Sequence, residues 1–207
     1  MNRDKLADHL RVDRYGDFVL TEAIRPAPHL PVVPREGFRI DVYRDTQAGL
    51  EVPVLAASVS REKLFDLFLA LLAPLGPLVD AVLETSHHGG PSHHDLLREQ
   101  IDLPVLQSHF CDFEDLLLND GCTGVAVISC SSAMEVQFDE HKLLVVYAHD
   151  LGPFVSLLRR AGLKRDDRMK LITEGEHLHS SAGDCAERFE QLACRVGVAE
   201  PAEQMSW

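Results

Sequence analysis

Four short apolar runs, Val52–Val59, Leu78–Leu83, Gly124–Ser129 and Leu143–Tyr147, constrain the fold of this chain more than any other feature. Each has the length of a β-strand and is too short to cross a membrane as a helix. Runs with so little polar alternation need cover on both faces, so they predict interior strands. Phe38, Ile40 and Val42 alternate with Arg39, Asp41 and Tyr43, the period of a strand with one wet face. Phe18–Ile24, Pro104–Gln107, Glu135–Phe138 and Lys170–Thr173 read as further strands.

Between the runs lie helical patterns. Ser60 stands where it would N-cap Arg61–Ala73, a segment apolar on nearly every side and ended by Pro74. Pro153–Ala161 and Asp184–Val196 each carry an apolar stripe at helical spacing. Met1–Leu10 and Asp112–Leu118 are shorter helices, the second closed by Asp120-Gly121. Ser92 and Asp95 resemble a capping box, which predicts a short helix running to Gln100. Pro26, Pro28, Pro31 and Pro34 make Arg25–Pro34 an extended connector.

The fold class is therefore α+β, with antiparallel-rich, mixed sheets and helices packed on them, as one compact unit over residues 1–207. A constant offset of 90 lays Val54 on Leu144, Leu67 on Leu157, Glu84 on Glu174, His87 on His177 and Arg98 on Arg188. That alignment suggests two related β-β-α-β-α halves, about 38–100 and 124–196, with 101–123 between them.

Charge excludes some functions. The net charge is −13, from 20 basic and 33 acidic residues, and no basic run occurs. That argues against nucleic acid and anionic membrane surfaces as partners. Protonating all 11 histidines would bring the charge to −2, so it is sensitive to mild acid. Five cysteines without a C-x-x-C pair fit reduced thiols in a cytoplasmic setting. No signal-type apolar core follows Met1, and Asp66, Pro74, Gly76, Pro77 and Asp80 interrupt the stretch Leu64–Leu83.

Catalytic signatures mostly fail. The chain has no G-x-S-x-G elbow, P-loop or G-x-G-x-x-G turn. Ser60-Arg-Glu-Lys63 matches S-x-x-K but lacks the partner motifs S-D-N and K-T-G. Ser86-His-His-Gly-Gly90 looks like the S-H-H-G turn of some metallo-β-lactamase-fold hydrolases, but no H-x-H-x-D-H motif precedes it. His177-Leu-His179 is an H-x-H of the amidohydrolase kind, set near the end of a chain too short for that barrel.

What remains is the concentration of histidine beside carboxylate, the donor set that borderline metals need. His87, His88, His177 and His179 are the candidate ligand-binding residues. His87, His93 and His94 with Glu84 are the candidate metal ligands. Cys122 and Cys130 flank a strand with His141 in reach, although buried, inert thiols are the commoner outcome. Three functions stay open. The leading one is a non-enzymatic binding or interaction module without a cofactor, taking a small molecule, a peptide or a protein. The alternative is a metal-dependent hydrolase using the histidine-rich turns and a divalent ion. The third is a structural subunit whose acidic surface meets a basic partner. Oligomerisation is left open.

Overall fold

A computed structural model describes residues 9–46, 49–87 and 94–198. His88, His93, the capping-box Ser92 and most of the helix expected at Met1–Leu10 lie outside the described residues.

The chain begins with β1 (Arg14–Tyr15), β2 (Phe18–Val19) and β3 (Ile24–Pro26). A long hairpin follows, β4 (Gly37–Asp45) and β5 (Leu50–Ser58), and then helix α1 (Arg61–Leu72). Next come β6 (Leu78–Thr85), β7 (His94–Asp102), α2 (Leu103–Asp112) and α3 (Glu114–Asn119). A meander of β8 (Thr123–Ser129), β9 (Met134–Phe138) and β10 (Leu143–Ala148) leads to α4 (Gly152–Arg160). Strand β11 (His177–His179) and helix α5 (Cys185–Val196) complete the described fold.

Seven strands form one sheet in the order β4-β5-β10-β9-β8-β6-β7, antiparallel throughout. The four apolar runs are β5, β6, β8 and β10, and all four are interior. Strand β11 lies outside this sheet and pairs with β3.

One face of the sheet carries the core. Phe38, Leu55, Leu83, Val125, Phe138 and Leu144 point to it and meet α1 to α5 in a single buried cluster. The Phe68 ring of α1 packs 5.5 Å from Phe110 of α2 and 5.2 Å from Phe138 of β9. Each such fully buried side chain contributes about 1.5–3 kcal/mol. On the opposite face a second buried cluster lies near β5 and β10, where Ala23, Ile24, Met169, Leu171 and Ile172 pack on Leu143. Burial along β6 consequently alternates: Val79, Ala81, Leu83 and Thr85 are buried, whereas Asp80, Val82 and Glu84 are half-exposed. Cover on both faces, expected from the apolar runs, is thus incomplete along β6.

Several local expectations are corrected, among them the single strand Phe18–Ile24, which is split into β2 and β3. Residues 95–100 form edge strand β7, because pairing with β6 (Val82 with Leu97, Glu84 with Asp95) overrides a sequence rich in helix formers. Pro104–Gln107 belongs to helix α2, where Pro104 takes a first-turn position that needs no backbone N–H. Lys170–Thr173 is not a strand; it leads into a 3₁₀ turn, Ile172–Glu174, that buries Ile172. Ser60 does sit at the N-cap of α1, yet its hydroxyl accepts from the Val19 N–H at 3.0 Å and caps nothing.

Under the offset of 90, β5 falls on β10 and α1 on α4, and the two strands pair with each other. The match then stops. Residues 168–175, opposite β6, contain only the 3₁₀ turn, and β7 falls on α5.

Candidate metal centre

One end of the sheet gathers the polar chemistry. Strands β6 and β10 meet it at Thr85 and Leu143, β8 starts there at Thr123, and the β9–β10 turn closes over it. That turn is held by Asp139, whose carboxylate accepts from the Leu143 N–H at 2.8 Å while its carbonyl accepts from Lys142 N–H at 3.0 Å. Its geometry presents His141 toward β11.

On β11, His177 and His179 are two residues apart and so project to the same side of the strand. They meet His141. The three ring centres stand 4.9, 4.9 and 5.1 Å apart, and one nitrogen from each ring lies within 4.8 Å of the others. An imidazole bound at about 2.1 Å puts its ring centre about 3.2 Å from the ion, so two tetrahedral ligands stand about 5.2 Å apart. The observed triangle has nearly that size.

The outer nitrogens are all engaged. His141 Nδ1 lies 3.1 Å from Asp139 Oδ2, His177 Nδ1 lies 2.8 Å from the Gly175 carbonyl, and His179 Nδ1 lies 2.6 Å from the Gly121 carbonyl. Each acceptor calls for a proton on Nδ1, which leaves Nε2 as the lone-pair nitrogen for an ion. Burial pulls the His141 pKa down, but the hydrogen bond and charge of Asp139, with Glu140 nearby, bring it above its ordinary value. The site is partly open: His141 and His177 are half-buried and His179 is exposed. An open groove of about 770 Å³ between residues 27–29 and 175–178 has His177 in its wall.

The loop beneath His179 builds a second, closed cluster. His87 Nε2 lies 2.9 Å from Asp120 Oδ2, with side-chain exposures of 8% and 0%. His87 Nδ1 lies 2.7 Å from Thr85 Oγ1, and Asp120 accepts from the Thr123 hydroxyl and the Cys122 N–H. A ligand atom each of His87, Asp120 and Cys122 falls within 4.8 Å of the others. Lys142 is buried beside them, donating to the Thr123 carbonyl at 2.8 Å. Burial pushes its pKa down to about 8, against the opposing charges of Asp139, Asp120 and Glu140. Gly121 joins the two clusters. Its carbonyl serves His179, and a Cβ there would stand 2.6 Å from the Ala23 carbonyl oxygen.

Of the candidate residues, the structure brings His177 and His179 together and places His87 in the neighbouring cluster. Ser181, two residues past His179, also approaches His87, its hydroxyl 3.5 Å from Nε2. His94 opens β7 opposite Thr85. Glu84 lies on the other face of β6, its carboxylate over Gly124. The residues that sequence reasoning did not select are His141 as partner of the H-x-H pair, and Asp120. Compared with known protein families, curated proteins and solved structures, the chain matches none. Among the described residues no helix is long and apolar enough to cross a membrane.

Proposed function

We propose that this chain is a metal-dependent hydrolase that holds a divalent transition ion, zinc foremost, on Nε2 of His141, His177 and His179. The observation that carries this reading is the outer shell: all three rings commit Nδ1 to a fixed acceptor, the arrangement that orients metal-bound histidines. Three protein ligands leave a fourth position free, as catalytic zinc sites do and structural ones do not. An ion held by these three histidines would supply the Lewis acidity that activates water for hydrolysis near neutral pH. The groove beside His177 is of a size that takes a small substrate.

Metal analysis and zinc titration of untagged protein test the reading, with a chromogenic ester as a general probe of hydrolysis. His177→Ala should weaken zinc binding at least about 100-fold, beyond the range lost with an outer-shell partner, and abolish ester turnover. Unchanged zinc affinity in His177→Ala would overturn it. Full zinc affinity without turnover of any ester would restore the non-enzymatic binding module.

A further inference from the structure

The closed cluster has its own chemistry. Two acceptors, a histidine lone pair and a carboxylate oxygen, do not sit 2.9 Å apart unless a proton or a cation lies between them. In the protonated arrangement the Thr85 hydroxyl donates to Nδ1, and Nε2–H donates to Asp120. The alternative places the proton on Nδ1, donating to Thr85 Oγ1, and frees Nε2 toward Asp120 and Cys122.

We infer that His87 Nε2, an Asp120 carboxylate oxygen and the Cys122 sulfur form a second divalent metal position of zinc type. Imidazole, carboxylate and thiolate are the three ligand classes zinc accepts, and all three ligand atoms already lie within 4.8 Å. The supporting shell is in place. Thr85 fixes the His87 ring, while the Cys122 N–H and the Thr123 hydroxyl hold the two carboxylate oxygens. On binding, the His87 proton moves from Nε2 to Nδ1, and the Cys122 thiol loses its proton to solvent as the sulfur–metal bond forms. Ser181, in the wall of a neighbouring groove of about 640 Å³, brings its hydroxyl to 3.5 Å from Nε2. This position does not rest on the three-histidine reading, because only it contains a sulfur ligand.

Cobalt(II) is the probe. Untagged, reduced, chelator-stripped full chain titrated with Co²⁺ should show a near-ultraviolet thiolate-to-cobalt charge-transfer band and bind two equivalents. Cys122→Ser should lose the band and one equivalent. His177→Ala should lose the other equivalent and keep the band. No band in the wild type, or a band that survives Cys122→Ser, overturns the inference and leaves a proton-bridged His87–Asp120 pair. Should Cys122→Ser not fold, alkylation of the wild type decides: zinc must shield Cys122 while the exposed Cys111, Cys130 and Cys194 still react. Labelling of Cys122 that zinc leaves undiminished overturns it equally.

Discussion

The two histidine clusters share one turn, 120–122, and are built on opposite principles. In the closed one, His87 and Asp120 are almost wholly buried and each meets protein groups at van der Waals and hydrogen-bond distance. In the open one, His179 is exposed, and among the described residues the protein takes only the outer nitrogen of each ring. Polar groups removed from water must be paired inside the protein, whereas exposed ones can leave a lone pair to a ligand. The two clusters therefore differ in what their loss disturbs first. Damage to the closed cluster should appear first in folding, and damage to the open one first in metal affinity.

The sharpest break falls on the closed side. Asp120→Ala removes the partner of His87, the acceptor of the Thr123 hydroxyl and a charge opposite buried Lys142. Removing one member of such a buried pair costs about 3–5 kcal/mol. Urea unfolding in chelator should show that loss; a loss under about 1 kcal/mol would mean the turn is held by its neighbours instead.

Gly121→Ala should affect both clusters, and by less. The new Cβ would meet the Ala23 carbonyl oxygen at 2.6 Å and the Ser180 carbonyl oxygen at 2.9 Å, so backbone must shift. Overpacking of this kind costs about 1–3 kcal/mol. The shift also moves the Gly121 carbonyl off His179, and loss of an outer-shell partner weakens metal affinity about 10–100-fold. Competition with a zinc indicator measures it. Lower stability with unchanged affinity would show that the carbonyl does not orient the ring.

The sheet was more legible in the sequence than either cluster, for a physical reason. Apolar runs such as Leu78–Leu83 and Leu143–Tyr147 carry their burial in consecutive residues, and β6 and β10 appear where those runs lie. Edge strand β7 does not, because Asp95–Gln100 is largely exposed and owes its strand form to pairing with β6. The open cluster was half legible: the H-x-H spelled out two of its histidines but read as a turn, and pairing with β3 makes it the strand that puts both imidazoles on one side. Its third member, His141, lies 36 residues before His177 in a turn whose direction only the fold determines. Asp120 read as a helix-closing residue beside a glycine, since its burial against His87 comes from packing with no local signature.

The smallest effect is the most specific to the open cluster. Without metal, His179→Ala removes one exposed ring and its bond to the Gly121 carbonyl, a net contribution of about 0.5–1.5 kcal/mol. Both proteins unfolded in chelator should differ by that amount. Zinc changes the gap. A ligand that binds only the native state adds about 2.7 kcal/mol at a hundredfold excess over its Kd, and the variant lacks one of the three nitrogens that capture it. Any stabilisation from the His87–Asp120–Cys122 position is common to both proteins and cancels in the difference. The gap should therefore widen toward about 3–4 kcal/mol when unfolding is repeated at saturating zinc. A gap that stays the same would mean zinc does not bind through His179, and the three-histidine centre would fall with it.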